Sequence, residues 1–128
     1  GLYVGSCGGE AAIRNNVWYS SSTSHTHLYA AAGFSPAALD YNCYHEHGGN
    51  IIGWAGSAYT TVSAFCGAHS WDSHSIGADP LFEHAASDWK LTSASPCKNA
   101  GTAAAVVYDY AGNTFHPLTP SMGAYQHQ

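Results

Sequence analysis

Charge is what this sequence has least of. Only 9% of its 128 residues are charged, against roughly 25% in an ordinary soluble domain. Lys and Arg together number three, and the formal net charge is −5. A chain so poor in cations has no electrostatic footing on a phosphate backbone, which excludes nucleic acid as a partner. No apolar run approaches the roughly 20 residues of a membrane-spanning helix. Cysteines in CxxC spacing are missing, and so is the Gly-x-Ser-x-Gly elbow that activates a serine. The chain opens on Gly1 rather than Met, which points to a removed leader or a longer parent.

What is there is apolar and aromatic: 45% hydrophobic and 13% aromatic residues. That is enough to fill a core and too much for a disordered chain. The polar surface must come from Ser, Thr, Asn, Gly, His and Tyr, a composition that suits sugars and neutral polymers. Cys7, Cys43, Cys66 and Cys97 are even in number, widely dispersed and free of zinc spacing. Such a set predicts two disulfides and a secreted, extracellular protein; the alternative is four buried free thiols. Cys66 and Cys97 flank a long terminal excursion and are expected to pair, leaving Cys7 for Cys43.

Helix signals are scarce. Residues 35–42, with Ser35 and Pro36 in capping positions, could make one turn, and residues 59–70 a helix from Thr60 or Thr61 to Gly67. Short apolar runs at 11–20, 27–32, 39–45, 50–56, 88–92 and 104–110, separated by Gly, Asn and Ser, predict many short strands. "RNNVWYS" and "DYNCYHE" superpose with Asn16 on Asn42, Val17 on Cys43, Trp18 on Tyr44 and Tyr19 on His45. The spacing is 26 residues, a suitable length for one turn of a parallel β-solenoid. An antiparallel sandwich is the competing all-β arrangement.

Residues 74–125 add a series of pieces: "HSIGADPLF", "DWKLTSASPCKNAGT", "DYAGN" and "GAY". Together with "IRNNVWY" and "LDYNCY" upstream, the series resembles the C-terminal end of secreted right-handed parallel β-helix proteins of the pectate-lyase-like superfamily. The resemblance implies an all-β fold, a short right-handed parallel β-helix with a C-terminal cap. Residues 1–74 would form its coils and residues 75–128 the terminal coil and cap of the same domain. Leu81, Phe82 and Leu91 would point back into the solenoid. Two departures stand out: "TFHP" after the Asp-x-x-Gly turn where relatives carry an Arg, and "SMGAYQ" where they end in an acid. Uncharged hydrogen bonds would then replace a capping salt bridge.

The superfamily implied here includes lyases, glycoside hydrolases, esterases, adhesins and phage spikes, so the fold does not choose the function. A lyase of this kind commonly needs a Lys or Arg base and clustered acids for calcium. Arg14, within a strand, is the one notable cation, while Lys90 and Lys98 read as surface residues. Asp72, Asp79, Glu83 and Asp88 are the densest acidic stretch but match no calcium loop, and no acid pair falls in a glycosidase pattern. "HTH" and "HEH" place His25 with His27, and His45 with His47, on one face of an extended strand, a geometry able to chelate Zn²⁺, Ni²⁺ or Cu²⁺. A polar histidine surface is the plainer alternative, and the two pairs lie 20 residues apart rather than 26. Trp18, Tyr44, Trp54 and Trp71 are candidates for stacking on pyranose rings. The expectation is therefore a non-catalytic secreted module associated with extracellular polysaccharide. The alternatives are a self-assembling structural subunit, or the end of a polysaccharide lyase or glycoside hydrolase whose catalytic coils lie upstream. Residues 1–16 lack a helix or charged segment to cover a first coil, so Leu2, Tyr3 and Val4 are expected to pack on missing coils or on another chain, head to tail into a filament.

Overall fold

A computed structural model describes residues 1–5, 9 and 11–127. Among the described residues the protein is all-β apart from one helix, and its strands are short because Gly, Asn and Ser interrupt the apolar runs. In chain order they are β1 (Leu2–Val4), β2 (Ala12–Arg14), β3 (Val17–Trp18), β4 (Leu28–Ala30), β5 (Ala38–Asp40), β6 (Cys43–Tyr44), β7 (Ile52–Trp54) and β8 (Ser57–Tyr59). The helix α1 (Val62–His69) follows, then β9 (Ile76–Gly77), β10 (Phe82–His84) and β11 (Asp88–Leu91).

The pairing is mostly parallel and between distant strands. β1, β4 and β7 form one parallel ladder, β2 and β5 a second, β3, β6 and β9 a third. Leu2 aligns with Leu28, Ala12 with Ala38 and Val17 with Cys43, so a spacing of 26 residues holds in all three pairings. It tightens to 24 between Leu28 and Ile52, and widens to 33 between Cys43 and Ile76, where β8 and α1 are inserted. The corner between the second and third ladders repeats as well. Asn15 (φ 59°) and Tyr41 (φ 57°) both take the left-handed conformation there, one that asparagine tolerates better than tyrosine.

Just after that corner, Asn16, Asn42 and Ser75 align in a polar row. Asn42 Oδ1 accepts from the Asn16 backbone N–H and side-chain amide, and Ser75 Oγ accepts from the Asn42 N–H. Asn42 is fully buried, and its Nδ2 donates to Ile13 O and to Asp72 Oδ1. Ser75 Oγ and Tyr44 Oη donate to the same buried Asp72 carboxylate. Every buried polar atom named here has a partner, as burial demands.

Alternation along the strands divides the core in two. Ile13, Leu28, Leu39, Tyr44, Ile52 and Trp54 point between the ladders and meet Val62 and Phe65 of α1. Cys43, one residue from Tyr44, points to the other face, where Leu91, Cys97 and Met122 cover it with Val17, Ile76 and Phe82. The C-terminal segment therefore lies along the outside of the β3–β6–β9 ladder. It also reaches the first corner: Asn15 exchanges two hydrogen bonds with Thr102, and the Gly123 N–H donates to Asn15 O. A brace along the side corrects the inward-pointing arrangement expected of Leu81, Phe82 and Leu91. Leu81 is 39% exposed, while Phe82 and Leu91 fill the outer cluster.

Helix α1 begins where the sequence places it. Thr61 caps it by accepting from the Ala64 N–H, Glu46 accepts from the Val62 N–H, and left-handed Ser70 closes it. Residues 35–42 make no helical turn; β5 occupies their second half, and the Ala37 N–H is drawn off to Ala11 O. Residues 104–110 contribute only the bridge of Tyr108 to Thr114 rather than a strand.

Candidate functional site

A groove of about 680 Å³ opens between the Asn15 corner and the C-terminal brace. Its size falls in the range of ordinary ligand clefts. Arg14 enters from the end of β2, while Val107, Tyr108, Tyr110, Phe115 and His116 form the opposite wall. Tyr110, at 84% exposure, and Tyr108 present their rings to solvent, and Tyr125 meets Tyr110 edge-on at 5.8 Å. These positions follow from the "DYAGN" turn. Asp109 Oδ1 accepts from the Ala111 and Asn113 N–H groups, and its Oδ2 accepts from Asn113 Nδ2 and the Gln126 N–H. Partial desolvation pushes the Asp109 carboxyl up, but these donors prevail and hold it below the usual value. Among the described residues Asp109 is the one carboxylate lining the groove, and its bonds go to the turn and to the Gln126 N–H.

The other charged or titratable nitrogen groups of the groove are the Arg14 guanidinium and the His116 imidazole. Among the described residues Arg14 is in no ion pair; the pairs are His74 with Asp40 and Lys90 with Asp88. His116 Nδ1 accepts from the Thr119 N–H and lies 3.0 Å from Thr119 Oγ1, which leaves the Nε2 side of the ring for a ligand. Gln126 completes the wall through uncharged bonds: Oε1 accepts from His116 N and Ser121 N, and Nε2 donates to Asn99 Oδ1. Apolar rings, a free guanidinium and an imidazole make a surface that stacks and donates. Among the described residues it has no pair of acids.

A second exposed cluster sits beside Arg14 on the outer face of β5. Asp40 aligns with Arg14 in the ladder, and its carboxylate lies 2.7 Å from His74 Nδ1 and accepts from the His74 and Tyr41 backbone N–H groups. Burial pushes Asp40 up, yet the His74 contacts outweigh it and the carboxyl is lowered. Tyr41 stacks on His74 at 4.8 Å and holds the ring. No spacing signal marks this pair, whose members lie 34 residues apart.

The sequence-predicted sugar contacts divide. Tyr44 and Trp54 lie in the core and offer no face to a pyranose, which corrects their assignment. Trp18 and Trp71 pack against the same core while keeping part of their surface. Trp18 stacks on Tyr44 at 6.0 Å, one ladder step away. Fully open rings lie elsewhere: Tyr3, 69% exposed, stacks on Tyr29 at 5.3 Å and 7°.

The four histidines come near one another without converging. His27 Nε2 meets His45 O, His45 Nδ1 meets Ser20 O, His47 Nε2 meets His25 O and His25 Nδ1 meets Ser20 Oγ. His47 Nδ1 also accepts from the Gly49 N–H, so both of its nitrogens are used. Burial, together with the neighbouring imidazoles, holds His27 below its ordinary value against the raising effect of its backbone bond. Among the described residues no three His, Cys, Asp or Glu side chains are grouped to hold a metal ion. These rings tie one turn of chain to the next, which corrects the metal-site expectation for His25, His27, His45 and His47. Nor do Asp72, Asp79, Glu83 and Asp88 form a cation site. Asp72 is buried in its own network, Asp79 accepts from Leu81 N, and Asp88 pairs with Lys90.

Cys43, Cys66 and Cys97 carry free thiols. The expected Cys66–Cys97 bond is absent, and Cys97 instead adjoins Cys43 in the outer cluster. Cys7 lies outside the described residues. No described helix is long and apolar enough to cross a membrane. Comparison with protein-family models, curated proteins and solved structures finds no match for the chain.

Proposed function

We propose that the chain is a non-catalytic, carbohydrate-binding end of a secreted right-handed parallel β-helix of the pectate-lyase-like superfamily. The parallel ladders and their 26-residue spacing support the architecture. The observation that carries the function is the groove, where Tyr108, Tyr110 and Phe115 share the lining with Arg14 and the one carboxylate among the described residues is taken up by internal N–H donors. Aromatic rings give a pyranose an apolar platform, and guanidinium and imidazole groups supply hydrogen bonds to its oxygens. Affinity electrophoresis against neutral and uronate polysaccharides tests this. Binding should weaken about tenfold in Tyr110→Ala and in Arg14→Ala, the scale of losing one anchoring contact. Failure to bind any polymer, or equal binding by both variants, would defeat the proposal. Release of reducing or unsaturated ends would favour the lyase or hydrolase alternative.

A second reading concerns self-association through the N-terminal face. Among the described residues β1, β2 and β3 each pair on one side only. Beside them lies a hollow of about 490 Å³ lined by Leu2, Asn16, Trp18 and His27. Trp18 Nε1 is buried there without a hydrogen-bond partner, a group whose desolvation is uncompensated. The occupant for the isolated chain is a second copy. A head-to-tail contact would meet only part of a partner edge, because β8 covers the far side of β7 while β5 and β9 pair on one side only among the described residues. Two N-terminal faces meeting symmetrically give a closed pair instead. Light scattering should then report twice the 13.4 kDa chain mass, and a concentration-independent monomer would refute this reading.

A further inference from the structure

Cys43 and Cys97 are both fully buried, and they meet in the cluster that joins the β3–β6–β9 ladder to the C-terminal brace. Cys43 faces outward because Tyr44 takes the inward position on β6. Cys97 comes from the brace and is fixed at both ends of its peptide unit. Its N–H donates to Ser95 Oγ at 3.1 Å, and its carbonyl accepts from Met122 N at 3.0 Å. The nearness of Cys97 pushes the Cys43 thiol up, as burial also does, while Cys43 draws the Cys97 thiol down. Cys43 Sγ also contacts Ala78 O at 3.6 Å. Cys66, on α1, belongs to neither buried cluster.

We propose that Cys43 and Cys97 are a disulfide-forming pair that fastens the C-terminal brace to the middle strand of the ladder. The oxidant is a small-molecule disulfide such as oxidised glutathione. One protein thiol gives up its proton and attacks a sulfur of the oxidant, whose S–S bond breaks and releases one thiolate. The second protein thiol then loses its proton and attacks the mixed disulfide, expelling the other thiolate. Two protein thiols are oxidised to one disulfide, and one disulfide is reduced to two thiols. Because both sulfurs are buried, exchange takes place before the brace docks or while it is lifted. The bond closes a loop running from 43 to 97, long enough for a cross-link to restrict the unfolded chain strongly. The pairing rests on packing alone and does not depend on the carbohydrate reading.

The test is refolding of the full chain in oxidised glutathione, alkylation, peptic digestion without reduction, and mass mapping. A cross-linked peptide pair containing Cys43 and Cys97 is expected, with Cys66 alkylated. Adding reductant should lower Tm by about 10 °C in the wild type and in Cys66→Ser. The same addition should leave the doubly substituted Cys43→Ala, Cys97→Ala chain unmoved. Cross-links in which Cys7 or Cys66 replaces either partner would overturn the proposal. So would folded, oxidised protein in which both thiols are still free.

Discussion

Asn42 lies directly beneath Asn16, and its Oδ1 accepts both the backbone N–H of Asn16, at 3.1 Å, and its side-chain amide, at 3.0 Å. One oxygen thereby fixes the alignment of two segments 26 residues apart. The Nδ2 of the same side chain reaches Ile13 O and Asp72 Oδ1, at 3.0 and 3.1 Å. Removing it by Asn42→Ala orphans several buried groups at once and should cost about 2–4 kcal/mol. Urea unfolding monitored by tryptophan fluorescence checks this; a loss below about 1 kcal/mol would show that water replaces the side chain.

Asp72 is the buried acid of that network, and burial raises its pKa despite the donors from Ser75, Asn42 and Tyr44. A carboxyl with a raised folded pKa stabilises the fold below its unfolded value and gives that contribution up as pH rises through the folded one. In Asp72→Asn the amide should keep the bonds, with Tyr44 Oη turned to accept, and it suits the left-handed backbone there (φ 57°). Relative to wild type the variant should gain Tm steadily from pH 4 towards neutrality, because the wild-type carboxyl is made to ionise in its buried site. Parallel melting curves across that range would disprove it.

His27 behaves oppositely. Its folded pKa lies below the ordinary 6.5, so the unfolded chain binds a proton first and stability falls as pH drops from about 6.5 towards the folded value. His27→Gln keeps a donor for His45 O and removes the proton site. Thermal melts between pH 7 and 5 should show a shallower decline for the variant, and an unchanged slope would assign the acid sensitivity elsewhere.

Gly53 is required by a ring rather than by its backbone. A Cβ at position 53 would lie 2.6 Å from Cδ2 of Tyr29, which covers it from the adjacent strand. Gly53→Ala should cost about 1–3 kcal/mol through displacement of the ring. In a Tyr29→Ala background it should cost less than half as much. Equal costs in both backgrounds would place the strain in the backbone.

The match of Asn16, Val17, Trp18 and Tyr19 to Asn42, Cys43, Tyr44 and His45 was legible because aligned strands put like residues on like positions. The structure aligns those residues, including Tyr19 stacked on His45 at 4.7 Å. The α1 start was legible for a similar reason, since Thr61 followed by an apolar run is a local signal. Inside and outside were not. In a two-residue strand such as β6 no alternation is long enough to say that Tyr44 faces in and Cys43 out. The cysteine pairing failed with it, since nearness in sequence favoured Cys66 where facing direction favours Cys43. Arg14 could be singled out as a cation in a strand. The opposite wall of its groove could not be foreseen, because the two sides are some ninety residues apart and nothing local links them.

The bonds between Asn15 and Thr102 span 87 positions of sequence, and that separation sets an order of events. On the ribosome the first corner of the chain leaves the tunnel long before its partners are made. Loop closure over that distance is slow and comes late. The side chain and carbonyl of Asn15 therefore wait, open to water, until residues 102 and 123 arrive to pair with them, while its own N–H is already held by Tyr41 O.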